Sequence, residues 1–359
     1  MSSASGPHIP IREAWLAQRV EPIVDPGLPI IDAHHHLWDR TGNRYLFAEL
    51  SADLASGHNV VATVYAQCRS MYRADGPVEL KPVGEVEFAA GVAAQAAGGQ
   101  YGKARPCAAI IGCADLMLGS RVAPVLEALI RAGGGRLHGI RNQTAWHPDP
   151  AVNSSPVPPK PGLLTAPAFD QGVAMLERHG LALDVWAYHT QLGELYDLAS
   201  RHPGIPVVVD HCGGPLGVGP YAGKAAEVFS EWKRGMERLS LLPNVRVKLG
   251  GLGLRVAGFT FHERPLPPSS KDLAEAWRPL MLTCIEVFGP QRCLFESNFP
   301  VDKGMFSYPV LWNAYKRLTR AFTASERARL FWGTAAEIYG LPSPVPAGPK
   351  GGPRGTANA

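Results

Sequence analysis

The sequence predicts an α/β protein, a single-domain (β/α)8 TIM barrel. Three observations carry that expectation. Eight short apolar runs recur along the chain, helix-patterned segments separate them, and the total of 359 residues suits one large core. Runs that stay apolar without alternating suit strands buried on both faces of a parallel sheet.

The runs begin with "PIIDAHHH" (29–36), "VVATVYAQC" (60–68), "CAAIIGCADL" (107–116) and the weaker "LHGIRNQ" (137–143). They continue with "LALDVWAYH" (181–189), "IPVVVDHCGG" (205–214), "NVRVKLGGL" (244–252) and "RCLFESNFP" (292–300). Between them lie "VGEVEFAAGVAAQAA", "RVAPVLEALIRAG", "FDQGVAMLERHG", "QLGELYDLASRHPG", "AAEVFSEWKRGMERLSLLP" and "SKDLAEAWRPLMLTCIEVFG". Two more helical patterns, "PVLWNAYKRLTR" and "ASERARLFWGTAAEIYG", follow the eighth run. An open doubly wound sheet would want a glycine-rich turn after the first strand, where histidines stand instead. Residues 1–28 read as an N-terminal extension, 29–341 as the barrel, and 342–359 as a disordered Pro/Gly-rich tail. A proline-rich insertion at about 145–168 follows the fourth strand.

Composition narrows the partners. The chain is 46% apolar and 18% charged, and its net charge of +4 shows no basic run of the kind that binds nucleic acid. No apolar stretch is long enough to span a bilayer, and the N-terminus has no signal-peptide core. Six cysteines without CxxC spacing read as buried reduced thiols, which favours a cytoplasmic location. The apolar helices are compatible with a homo-oligomer.

Barrel enzymes of this kind work at the C-terminal ends of their strands. There the chain places His34 and His36, Gln67 and Arg69, Arg141, His189, His211, Lys248, and Glu296 with Asn298. Strand alternation puts Asp32 on the face of His34 and His36, with His35 opposite. Taken singly, a strand-end histidine is more often a core residue, and His8, His58, His138, His179, His202 and His262 are read that way. His147 is read as a solvated loop residue. Four imidazoles converging from three strands either hold a divalent metal, Zn or Mn, or trade protons with a substrate. The metal set is then His34, His36, His189 and His211.

With "IDAHHHLWD", "YHTQL", "VVDHCGGP" and "CLFESNFPVD" in that order, the chain resembles the amidohydrolase superfamily. The branch it resembles includes pyrone-dicarboxylate lactonase and fuconolactonase-type enzymes. The resemblance runs from Ile30 to Leu341 and implies the same barrel, with His34 and His36 as its HxH pair and His189 and His211 as the histidines of strands five and six. The family's eighth strand usually ends in an aspartate that is metal ligand and base. Here Asn298 stands there, so Glu296, two residues earlier on the same face, is expected to supply the carboxylate while Asn298 orients water or substrate. The alternatives are that Glu296 only pairs with Lys248, or that Asp302 is the base.

Catalysis is therefore assigned to Glu296, Asn298, His189 and His211. Arg69, Arg141 and Lys248 form a cationic rim for a small anionic substrate, and Tyr188, with Trp186 and Trp146, an apolar wall. Arg73 is read as solvated. The expected reaction is hydrolysis of an ester, most simply a lactone of a small carboxylic acid, with or without metal. Metal-dependent non-oxidative decarboxylation of an aromatic or muconate-type acid is the alternative, and a catalytically inactive ligand-binding barrel is the third reading.

Overall fold

The computed structural model describes residues 7–344, so the tail beyond 344 lies outside the described residues. Eight strands form one parallel sheet in sequence order. They are β1 (Ile30–His35), β2 (Val60–Ala66), β3 (Arg105–Gly112), β4 (Leu137–Gln143), β5 (Ala182–Trp186), β6 (Val207–Val209), β7 (Val245–Leu249) and β8 (Cys293–Phe295). The last strand returns to the first through His36 N donating to Phe299 O (2.7 Å) and Asn298 N donating to His34 O (2.9 Å). The result is a nearly closed (β/α)8 barrel.

Beside shorter helices such as Glu13–Leu16, Ala324–Ala328 and Thr334–Ile338, eight longer helices among the described residues surround it, one after each strand. These are α1 (Phe47–Leu54), α2 (Val83–Ala97), α3 (Ala123–Gly133), α4 (Pro167–Arg178), α5 (Leu192–Arg201), α6 (Ala225–Ser240), α7 (Ser270–Phe288) and α8 (Tyr308–Leu318). Each turns an apolar stripe onto the sheet, and most of the hydrophobic core lies in that layer. The ends are set locally. Ser269 caps α7 by accepting from Asp272 N, while Asp272 accepts from Ser269 N, a box whose loss costs about 1 kcal/mol.

The barrel interior is layered. Ile31, Ala33, Ala62, Val64, Ile111 and Val208 make an apolar floor, closed from below by Tyr339. Above it the interior becomes charged, because Asp184, Asp210 and Lys248 point inward from β5, β6 and β7 and are fully buried.

Simple alternation fails at β1. Ile31 and Ala33 face the interior, whereas the Asp32 carboxylate accepts from Ser297 N (2.8 Å) and from the Tyr308 hydroxyl of α8 (3.0 Å). A register shift between Asp32 and His35 then turns His34 inward. His35 faces outward, its ring against the Thr63 hydroxyl at 2.7 Å.

The sixth strand is shorter than its apolar run because the chain turns after Val209. His211, Cys212, Gly213 and Gly214 all have positive φ (55°, 53°, 68° and 60°). Only glycine adopts that region freely. Gly251, opposite, leaves room for the turned ring: a Cβ there would lie 2.4 Å from His211 Cβ and Cγ.

The N-terminal extension is strapped across the loops that follow β7 and β8. Trp15 Nε1 donates to the carbonyls of Arg264 (3.2 Å) and Pro265 (3.1 Å), and Glu13 pairs with Lys303 at 3.2 Å. Among the described residues no helix is long and apolar enough to cross a membrane. All six cysteines are free thiols, five of them buried.

Candidate active site

A cavity of about 270 Å³ opens at the C-terminal ends of the strands, lined by His36, Arg69, Arg141, His211 and Asn298 among others. Beneath it the buried polar groups form one connected system. Glu296 is fully buried and binds His211 twice, accepting from Nδ1 (2.6 Å) and from the backbone N–H (3.2 Å). Its second oxygen is 3.2 Å from His34 Nδ1. Burial works against the Glu296 charge, but His211, which donates to it twice, outweighs it and holds the carboxyl down at about 2.

Lys248 lies between two carboxylates, with Nζ 2.5 Å from Asp184 Oδ2 and 3.1 Å from Asp210 Oδ1. Burial opposes its charge, and the two aspartates overcome that and keep the ammonium above its ordinary pKa. Asp210 is also gripped by Arg141 Nε at 2.7 Å. Burial would raise its carboxyl, yet Lys248 and Arg141 hold it well below the usual range. Asp184 goes the other way, pushed up to about 6 by burial despite Lys248.

The hydrogen bonds determine which nitrogen of each ring carries a proton. A carbonyl only accepts, so His36 Nδ1 donates to Ala66 O (2.8 Å) and leaves Nε2 bare. An ammonium only donates, so His34 Nδ1 accepts from Lys248 Nζ (3.1 Å). His34 Nε2 then carries the proton and donates to His36 Nε2 (3.2 Å). Burial lowers both pKa values, followed by Lys248 for His34 and by His34 itself for His36. Both rings are neutral.

His34, Asp210 and His211 each bring a donor atom within 4.8 Å of the others. Asp210 Oδ1 is buried without a hydrogen bond despite the nearby Lys248. Two imidazoles and an orphaned carboxylate oxygen are a donor set that divalent Zn or Mn accepts, so these residues fit such an ion. Lys248 stands against two of the three as a competing charge.

Several predicted residues lie elsewhere. His189 is not in this group: β5 stops at Trp186, and the following turn sets the ring against Tyr221 (5.1 Å between centroids) and 3.9 Å from Glu231. Lys248 is no rim cation, since it is fully buried. Nor is it the partner of Glu296, which belongs to His211 and His34. The Tyr188 hydroxyl bonds Ser154 Oγ (2.7 Å) and Val152 O (2.6 Å), so it tethers the proline-rich insertion and is no cavity wall. Trp186 does line the cavity and packs edge-on to His211 at 4.7 Å, whereas Trp146 is not among the lining residues. Asp302 is buried, accepting from Asn298 Nδ2 at 2.8 Å. Arg73 pairs with Glu87 at the surface.

Sequence reasoning passed over Asp184, Asp210 and His8. A charged residue within the apolar strings "LALDVW" and "VVVDH" was the available signal, because a buried charge must be paired. His8, from the extension, lines the cavity and stacks on Trp38 at 5.6 Å, which in turn stacks on His36 at 5.8 Å. Nothing in its local sequence marks it.

Residues 31–341 match the amidohydrolase family model. Uncharacterized protein y4mH of Sinorhizobium fredii is 30% identical over 87% of this chain and 98% of its own length. L-fucono-1,5-lactonase of Burkholderia multivorans is 27% identical over 88% of this chain and 98% of its own. A zinc-bound crystal structure of an amidohydrolase from Burkholderia multivorans superposes with a TM-score of 0.67 at 24% identity, covering 87% of this chain and 99% of that one. The chain belongs to the amidohydrolase family. Its barrel is that of a hydrolase with a potential metal site at His34, Asp210 and His211.

Proposed function

We propose that the protein hydrolyses a lactone of a small carboxylic acid. The observation that carries this reading is the His211–Glu296 pair. Glu296 fixes the His211 proton on Nδ1 at 2.6 Å, and His211 lines the cavity. The remaining ring nitrogen is then a base for water, and the buried carboxylate stabilises the imidazolium that forms. Glu296 lies behind the ring and acts through it.

Other residues bind and polarise. Arg141, anchored by Asp210 and by Gln67 O (3.3 Å), presents a fixed guanidinium to the carbonyl or carboxylate of the substrate. Asn298, its amide oriented by Asp302, holds the water or the ring oxygen. When the ring opens, the proton taken by His211 passes to the leaving alkoxide. A divalent ion held by His34, Asp210 and His211 would supply Lewis-acid polarisation of the carbonyl and a more acidic water. The fuconolactonase relative supports an ester of this kind as substrate.

The test is proton release in a pH-stat assay over a panel of five- and six-membered lactones, linear esters, amides and aromatic carboxylic acids. Turnover of lactones, abolished in His211→Asn, is expected. Carbon dioxide release from the acids with no lactone opening would overturn the reading.

A further inference from the structure

Beside the catalytic cavity lies a larger one of about 590 Å³, and Arg69, Gln143 and Val157 line both. The two chambers differ in chemistry. Around the smaller stand imidazoles and guanidinium groups beside Trp38, Trp186 and Leu254, whereas Tyr72, Met117, Leu118, Pro158 and Leu163 make up much of the wall of the larger, with Glu79, Asp115, Asn142 and Lys160 also lining it. Its rim mixes exposed aliphatic groups (Val78 is 77% exposed, Val157 46% and Met117 40%) with the exposed charges of Glu79, Asp115 and Lys160. A protein seldom leaves aliphatic side chains gathered and exposed without a use for them.

The residues between the chambers are polar and under-used. Arg69 holds a left-handed backbone (φ 62°), a conformation that costs about 1 kcal/mol or more in a non-glycine residue. No hydrogen bond or ion pair of its guanidinium occurs among the described residues. Gln67 is 1% exposed and lines the larger chamber, yet its Oε1 has no donor, and Gln143 Oε1 is likewise buried without one. A cation and one orphaned acceptor shared by both chambers, Arg69 and Gln143, with a second orphaned acceptor, Gln67, in the larger, suit a ligand that carries a carbonyl or carboxylate together with a hydroxyl.

We infer that the substrate has two parts: a polar lactone head in the smaller chamber, and an alkyl or aryl arm that passes Arg69 into the larger one. This rests on the lactonase reading and narrows it, away from compact polyhydroxylated lactones and toward esters with an apolar substituent. Arg69 and Gln143 bind the polar groups where head and arm join, with Gln67 on the arm's side. The proline-rich insertion, which contributes Val157 and Pro158, forms one wall of the arm's path.

The test uses six-membered lactones bearing butyl, hexyl and octyl arms for turnover, and their ring-opened hydroxy acids for binding by calorimetry. Each methylene taken out of water tightens binding by up to about fourfold, so affinity for the hydroxy acids should climb with arm length. Met117→Asp and Met117→Trp, two variants at a half-exposed position, should flatten that climb. Affinity that does not change with length in the native protein, or climbs equally in both variants, would overturn the inference. Length-dependent binding without lactone turnover would remove the lactonase reading and leave the arm chamber standing. Turnover without length dependence would do the reverse.

Discussion

Replacing Glu296 with glutamine is the sharpest test of the catalytic arrangement. The substitution keeps the side chain's shape and one acceptor oxygen for His211 Nδ1, but removes the charge 2.6 Å from that ring. Unit charges about 4 Å apart at an effective dielectric near 20 interact by about 4 kcal/mol. That interaction matters when His211 becomes an imidazolium, in the transition state. At 1.36 kcal/mol per decade, kcat should fall by about three orders of magnitude, with KM changed little because Glu296 lies outside the cavity. A positioning residue acts only through its partner, so Glu296→Gln combined with His211→Asn should be no slower than His211→Asn alone. The assay is steady-state lactone hydrolysis, with circular dichroism to show that the fold survives. Activity within tenfold of native in Glu296→Gln, or losses that multiply in the double variant, would refute a dyad in which His211 is the base.

Three further outcomes follow from the buried charges. Lys248→Met should destabilise the fold by about 3–5 kcal/mol in urea unfolding, because it strands the fully buried Asp184 and leaves Asp210 with Arg141 alone; adding Asp184→Asn should recover part of that loss. His58 gives a pH dependence. Its Nδ1 accepts from Lys316 Nζ (2.9 Å) and its Nε2 donates to Pro309 O (3.1 Å), and burial, then the Lys316 charge, lowers its pKa from 6.5 to about 4. A depressed folded value means stability that is complete above pH 6.5 and lost as the pH falls toward 4, worth at most roughly 3 kcal/mol; the difference in unfolding free energy between native and His58→Gln should therefore shrink across that window, and a constant difference would contradict the assignment. Chelation should shift the melting temperature by no more than about 2 °C, since Lys248 and Arg141 already compensate most of the carboxylate charge; a fall of 10 °C would show that a metal is a structural member of the site.

Most strands were legible as predominantly apolar runs, the fourth (LHGIRNQ) least so, and the barrel followed from their alternation with helices. Their ends were not. His211 and Asn298 reach the cavity through left-handed backbone (φ 55° and 54°), which no periodicity announces. His189 shows the same limit from the other side: it sits at a strand end in sequence, yet the turn after Trp186 carries it toward Tyr221 and Glu231. The convergence of His34, His36, His211, Glu296 and Asn298 was visible as strand-end chemistry. The charged layer below was not, because Asp184, Asp210 and Lys248 look in sequence like lining residues, and only the pairing of each with the next shows them to be the support of the site.

An asparagine at position 298 has a physical reason in this structure. Asn298 donates to Asp302, whose other oxygen accepts from Gly253 N at 2.9 Å. Burial pushes the Asp302 carboxyl well above its usual range, and the Glu296 charge pushes in the same direction. An aspartate at 298 would face Asp302 at hydrogen-bond distance in a buried setting, where two carboxylates must share one proton. That proton would lie beside Glu296, which His211 keeps ionised. The asparagine removes the conflict: it supplies a donor to Asp302 and tolerates the left-handed backbone that closes the sheet. Glu296, one pleat deeper, is left as the carboxylate that bears directly on His211. Residues 296, 298 and 302 are thus one unit, and an aspartate could stand at 298 only with a change at Asp302.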